Sequence, residues 1–208
     1  MAFTQKYPIT LQERLALKEE ESRFSGSFKD FIQLLEVCDY PIEFQEGTII
    51  AMSIASDPHE QIVANFLYAL VHIFKGNKNF RRYGSNRHVY LKAANCAYAP
   101  DASVVKGKPQ IYEYSKGKTA KQNPWLIVEV LSKSTRTKDL GEKLPRYKKC
   151  KSLEYIIFAE QDTCLVTVYS RINNSRRWQS ADYDALNQSF QIDNHIISVA
   201  DIYDNIDF

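Results

Sequence analysis

Apolar residues recur along the chain with two periods, and each change of period marks an element. Between residues 10 and 39 the spacing is helical: Leu11, Leu15 and Leu17 open one stretch. Ser27 is placed to cap a second, in which Phe28, Phe31, Leu34 and Leu35 share a face. Pro41 ends that pattern. The run PIEFQEGTIIAMSIA then holds two β-rich segments around Gln45-Glu46-Gly47 and predicts a hairpin. Ser56-Asp57-Pro58-His59 is a helix start, a capping residue with proline in the first turn. Behind it Ile62, Val63, Phe66, Leu67, Leu70, Ile73 and Phe74 form the apolar stripe of a long amphipathic helix ending near Gly76.

Further on, FRRYGSNRHVYL and the segment around YAPDASVV predict strands, and the lysine-rich stretch from Lys106 to Asn123 predicts a loop. PWLIVEVLS is an apolar run of strand length. KDLGEKLPRYKKC predicts a helix; LEYIIFA, CLVTVYSR and RRWQSADY predict strands, with a hairpin-like break at Asn173-Asn174. No repeat or low-complexity linker interrupts the order. A single α/β domain is expected, a mixed sheet with helices packed on it, to which residues 1–39 add a helical segment.

Composition narrows the class. With 208 residues, 44% hydrophobic and 25% charged, the chain suits one well-filled core. No window approaches the roughly 18–20 apolar residues of a membrane helix, and the charged N-terminus has no secretory h-region. Cys38, Cys96, Cys150 and Cys164 are widely spaced with no Cys-x-x-Cys pair, which argues against zinc and a disulfide framework and suits the cytoplasm. Net charge is only +2, but Lys and Arg crowd between Lys116 and Lys151 while the segment from Asp182 onward has aspartates and neither Lys nor Arg. A phosphate-facing surface and a solvated lysine-rich loop both fit that distribution.

Glu129 is the single charge in LIVEVL. A buried ionised carboxylate costs several kcal/mol unless it is paired, protonated or bound to a metal. Asp101 stands just before another apolar run, ASVV. Two acids on neighbouring strands would suit a hard cation, magnesium above all; the alternative is that Glu129 pairs with a buried lysine and Asp101 caps a turn. In the following helix, Leu140, Lys143, Leu144 and Tyr147 fall on one core-facing stripe. Lys143 is thus either a lysine aimed at the acids or one that covers the core edge with its stem.

Pro100-Asp101 with Ser103-Val104-Val105, then PWLIVEVLSKSTRTKDLGEKLPRYKKC, then LEYIIF, preceded by IEFQEGTIIAMSIASDPHEQIVAN, resemble the Uma-two family of bacterial restriction-endonuclease-like proteins in the PD-(D/E)xK nuclease superfamily. The resemblance covers about residues 40 to 160 and implies a restriction-endonuclease-like mixed β-sheet flanked by helices, filling 40–208. It implies that Asp101 and Glu129 are catalytic and bind metal. The superfamily's lysine stands two residues after the acid, where this chain has Leu131; in this family it is carried by the next helix, at Lys143. Glu43 and His59 match supporting polar positions. Pro145, inside the helix that presents Lys143, is a departure that would kink it.

The expected chemistry is hydrolysis of a DNA phosphodiester with Mg2+, for which Mn2+ could substitute. Lys143 would offset charge in the transition state, and Lys133, Arg136 and Lys138 would hold backbone phosphates. A homodimer is expected by analogy with nucleases that cut two strands. The alternative is a catalytically eroded module of the same fold that binds nucleic acid or a protein partner.

Overall fold

The computed structural model describes residues 7–19, 21–52, 54–133, 135–173 and 175–208. The chain divides into two compact units, one formed by residues 1–54, 86–99 and 111–122, the other by 55–85, 100–110 and 123–208.

The first unit is built on a seven-stranded sheet in the order Glu21–Ser25, Thr48–Met52, Ile42–Gln45, Cys96–Tyr98, Val89–Leu91, Lys118–Lys121, Ile111–Ser115. The hairpin expected at Gln45-Glu46-Gly47 is present. Glu46 and Gly47 both have positive φ (46° and 92°), which makes its two-residue turn of the primed kind that matches strand twist. The helix Phe28–Val37 is capped by Ser27 with a reciprocal Asp30 contact, and its Phe31 and Leu34 are fully buried.

Two expectations fail in this unit. The region 10–39 is not continuous helix: a short helix, Leu11–Leu15, precedes the strand Glu21–Ser25, which pairs antiparallel with Thr48–Met52. Its inward side chain is Arg14, whose Nε donates to the Ala51 carbonyl, while Leu15 and Leu17 are exposed. Nor is 106–123 a loop. Tyr112 and Tyr114 alternate with outward Ile111 and Glu113, and the tyrosines pack on Phe28 and Tyr90. This period-2 signal was masked by the lysines around it; Gly117, with φ 83°, turns the strand into its partner Lys118–Lys121.

His88 gives this unit a pH dependence. Burial pulls its imidazole below the ordinary value, Lys118 adds to the lowering, and the bond to the Ile42 carbonyl (2.9 Å) and the charge of Glu43 act against it. A depressed folded value means that protonation favours the unfolded chain, so the contribution is present above about pH 6.5 and lost as pH falls through the folded value. In urea unfolding, the stability difference between the parent and His88→Gln should therefore shrink from pH 7.5 towards pH 5. A constant difference would contradict this reading.

The second unit holds a six-stranded sheet in the order Trp178–Tyr183, Val166–Arg171, Tyr155–Glu160, Leu126–Leu131, Ala102–Lys106, Phe80–Gly84. Leu126–Leu131 runs parallel to Tyr155–Glu160 and antiparallel to Ala102–Lys106. The long helix Asp57–Ile73, capped by Ser56, lays Ile62, Val63, Phe66 and Leu70 on one face of this sheet against Val104, Leu126, Val128 and Ile157. A hairpin of Ser189–Ile192 and His195–Ser198 and the short helix Val199–Ile202 extend the same core. Asn173 adopts positive φ (46°) at the expected break, and Asn174 lies outside the described residues.

Candidate active site

Strand alternation sets the site. Leu126, Val128 and Val130 enter the core against the long helix, so Ile127, Glu129 and Leu131 point to the opposite face. The antiparallel register runs from Leu126↔Val104 to Val128↔Ala102, and one further step brings Asp101 level with Glu129. Asp101 Oδ2 accepts the Val130 N–H at 2.7 Å, which ties the acid to the strand that carries Glu129.

His59 reaches Asp101 from the first turn of the long helix, with Nε2 3.1 Å from Oδ1. Burial lowers the imidazole's affinity for protons, but the hydrogen bond and charge of Asp101, helped by Glu60 and Asp139, outweigh it, and the net shift is upward. The helix cap explains the placement: Ser56 Oγ accepts the His59 N–H at 3.4 Å and orients the first turn.

Glu129 is 4% exposed, and its Oε1 receives Lys143 Nζ at 3.4 Å and the Tyr147 hydroxyl at 2.5 Å. Lys143 Nζ also lies 3.4 Å from Asp139 Oδ1. Asp139, Lys143 and Tyr147 are all buried, at 8%, 9% and 0% exposure. The element that delivers them is not the continuous α-helix expected. Arg136–Lys138 is α-helical, Asp139–Lys143 is a π turn, and Leu144–Lys148 resumes the α-helix. The Leu144 N–H bonds to the Asp139 carbonyl five residues back. Pro145 has no N–H to give, and the wide turn directly before it lets the proline enter without ending the helix. The kink expected to misdirect Lys143 is therefore absorbed, and the lysine points at Glu129.

The structure thus brings Asp101, Glu129, Lys143 and His59 into one cluster. It adds Tyr147, which sequence reading placed on the core stripe without a role, and Asp139, which it did not single out. The only signal for both was spacing, four residues on either side of Lys143. Glu43 belongs to the first unit, where it is 1% exposed and its Oε1 accepts the Ala99 N–H at 2.9 Å. Leu131 is buried on the face of Glu129, an apolar residue at the superfamily's lysine position. Among the expected phosphate contacts, Lys133 is exposed, Lys138 is half-buried, and Arg136 pairs with Glu160 at 2.5 Å.

Among the described residues, no group of three or more His, Cys, Asp or Glu side chains has the arrangement of a complete metal cage. Magnesium does not need one. It characteristically takes one or two carboxylates and fills its octahedron with water and substrate phosphate oxygens, a donor set that Asp101 and Glu129 match in number and hardness.

A mixed sheet that sets an acid in a central strand beside a second acid, with a lysine delivered by the next helix, defines a restriction-endonuclease-like fold. The chain belongs to the Uma2 family, described as "Putative restriction endonuclease", whose model matches residues 28–197. It is 26% identical over 149 residues to an uncharacterized protein of Synechocystis sp., sll1609, covering 72% of this chain and 82% of that one. The fold is that of a crystal structure from Anabaena variabilis described as a "putative nuclease belonging to DUF820", with a TM-score of 0.63 at 16% identity, covering 94% of this chain and 98% of that one. No helix among the described residues is long and apolar enough to cross a membrane.

Proposed function

We propose that the chain is a metal-dependent endonuclease that hydrolyses DNA phosphodiester bonds. The observation that supports this most is Lys143 on Glu129 beside Asp101. A carboxylate buried in an apolar strand meets an ammonium from the next helix, level with a second carboxylate at the start of the adjacent strand. A packing role needs no such set, since apolar residues of similar volume serve a core as well or better than a buried ion pair.

In this reading Asp101 and Glu129 hold a magnesium ion, with manganese as a substitute. When bound, the ion supplies Lewis-acid polarisation of the phosphate and a water of lowered pKa. The remaining work belongs to the chain. His59 and the Val130 N–H fix Asp101 from two sides, and Tyr147 fixes Glu129, so neither carboxylate must reorganise during the reaction. Lys143 places a positive charge where the scissile phosphate gains negative charge. Lys133, Lys138 and Arg136 face the DNA backbone, which makes affinity salt-dependent and poor in sequence information. A homodimer would present two such sites to the two strands.

Metal binding is checked by melting. Magnesium or manganese at roughly ten times its Kd should stabilise the protein by about 1.4 kcal/mol, a rise of about 3–6 °C for a chain of this size. An unchanged melting temperature at millimolar metal would remove the metal from the account. Metal-dependent stabilisation and DNA binding with no cleavage of plasmid or single-stranded DNA would favour an eroded binding module.

A further inference from the structure

We propose that Asp139 is a positioning residue for Lys143, a second anchor that keeps the ammonium at the cleft independently of Glu129. The proposal rests on the nuclease reading of Glu129 and Lys143. Its starting point is an acid that local packing does not require. Asp139 is 8% exposed, in the first position of the π turn, and its neighbours on the same helix include the buried Leu144 and Tyr147. Burying a carboxylate costs free energy that an alanine or leucine would avoid. What Asp139 gains is the ammonium of Lys143, 3.4 Å from its Oδ1 and one turn along the chain.

The geometry gives this contact a purpose. Lys143 lies at the same distance, 3.4 Å, from Glu129 Oε1, and that oxygen also accepts the Tyr147 hydroxyl. A lysine held by Glu129 alone would depend on a carboxylate that also has to serve a divalent cation, and two cations at one oxygen repel each other. With Asp139 on its other side, Lys143 stays in the cleft when Glu129's charge is drawn elsewhere. The π turn matters here, because it sets Asp139 and Lys143 at the two ends of one wide turn with both side chains inward. Asp139 also contributes to the charge that His59 experiences, which places it within electrostatic reach of the Asp101 half of the site.

The test follows Lys143 directly. In protein labelled with 15N-lysine, the Lys143 ammonium resonance is assigned by its disappearance in Lys143→Arg. Asp139→Asn should broaden or remove that resonance, and Asp139→Glu should restore it. With magnesium and plasmid DNA, Asp139→Asn should lower kcat by about 10–100-fold, with KM for DNA and the metal midpoint of the melting shift unchanged. Folding is checked first, and Asp139→Ser replaces the asparagine variant if that variant is unstable. The proposal is overturned if Asp139→Asn keeps both the resonance and the turnover. It is overturned equally if that variant loses the metal-induced melting shift, which would make Asp139 a ligand. A parent that binds metal but cuts no DNA ends the nuclease reading; loss of the Lys143 signal in Asp139→Asn then still supports the anchoring role, and its persistence still refutes it.

Discussion

Glu129→Gln should reduce metal-dependent cleavage by roughly a thousandfold or more, the largest effect expected of any single substitution here. Lewis-acid stabilisation of a phosphoryl transition state is worth several kcal/mol, and each ~1.4 kcal/mol is a factor of ten. Glutamine keeps the volume and the hydrogen-bond acceptor for Tyr147 but loses the charge that meets Lys143 and that, in the proposed function, would hold the cation. The loss of activity should not come from unfolding. Breaking one side of a buried ion pair costs about 3–5 kcal/mol when the remaining charge has no partner, whereas Lys143 retains Asp139 at 3.4 Å. The variant should therefore give a native circular dichroism spectrum while losing both cleavage and the metal-induced melting shift. Cleavage at the parent rate by a folded Glu129→Gln protein would remove this residue from the active site.

The second large effect is on Lys143. Lys143→Ala should lower turnover by about 10²–10³-fold, the range for losing one preorganised group that meets developing charge, and leave DNA affinity nearly intact. A contact strengthened only in the transition state appears in kcat rather than in ground-state binding. Lys138→Ala and Lys133→Ala should do the reverse, weakening binding and lowering its salt slope with little change in turnover at saturation. Lys143→Gln separates charge from packing, because it preserves most of the stem that covers the core edge. If a well-folded Lys143→Ala protein cuts at the parent rate, Lys143 is an ordinary buried ion-pair partner.

Glu129 was the most legible site residue because a lone acid in LIVEVL has no cheap apolar explanation. Lys143 followed from its stripe. Lys143 faces Glu129 for a reason the stripe does not contain, since the π turn before Pro145 re-aims a helix that a regular geometry would have kinked. Tyr147 lay on the same stripe, but a tyrosine there reads as core until its hydroxyl is seen on Glu129. Asp139 was hidden because an aspartate in a charged helix start looks solvated, and its burial depends on tertiary packing. Similar masking explains the fold. The long helix from Asp57 and the hairpin around Gly47 carry strong local caps and turns and were legible. The hairpin Ile111–Ser115 with Lys118–Lys121 was not, because its buried face consists of tyrosines set among lysines. The inward turn of Arg14, with Leu15 left exposed, ran against its apolar spacing. The division into two units had no linker to announce it, since the chain passes between them several times.

Metal-dependent cleavage is tested most directly by one time course: supercoiled plasmid incubated with the purified parent protein in magnesium, beside the same protein in EDTA and beside Glu129→Gln in magnesium. The proposed function predicts nicked and then linear DNA in the first reaction, and intact supercoiled plasmid in the other two. Cleavage that persists in EDTA, or that Glu129→Gln carries out as fast as the parent, would contradict a metal-dependent site built on Asp101, Glu129 and Lys143.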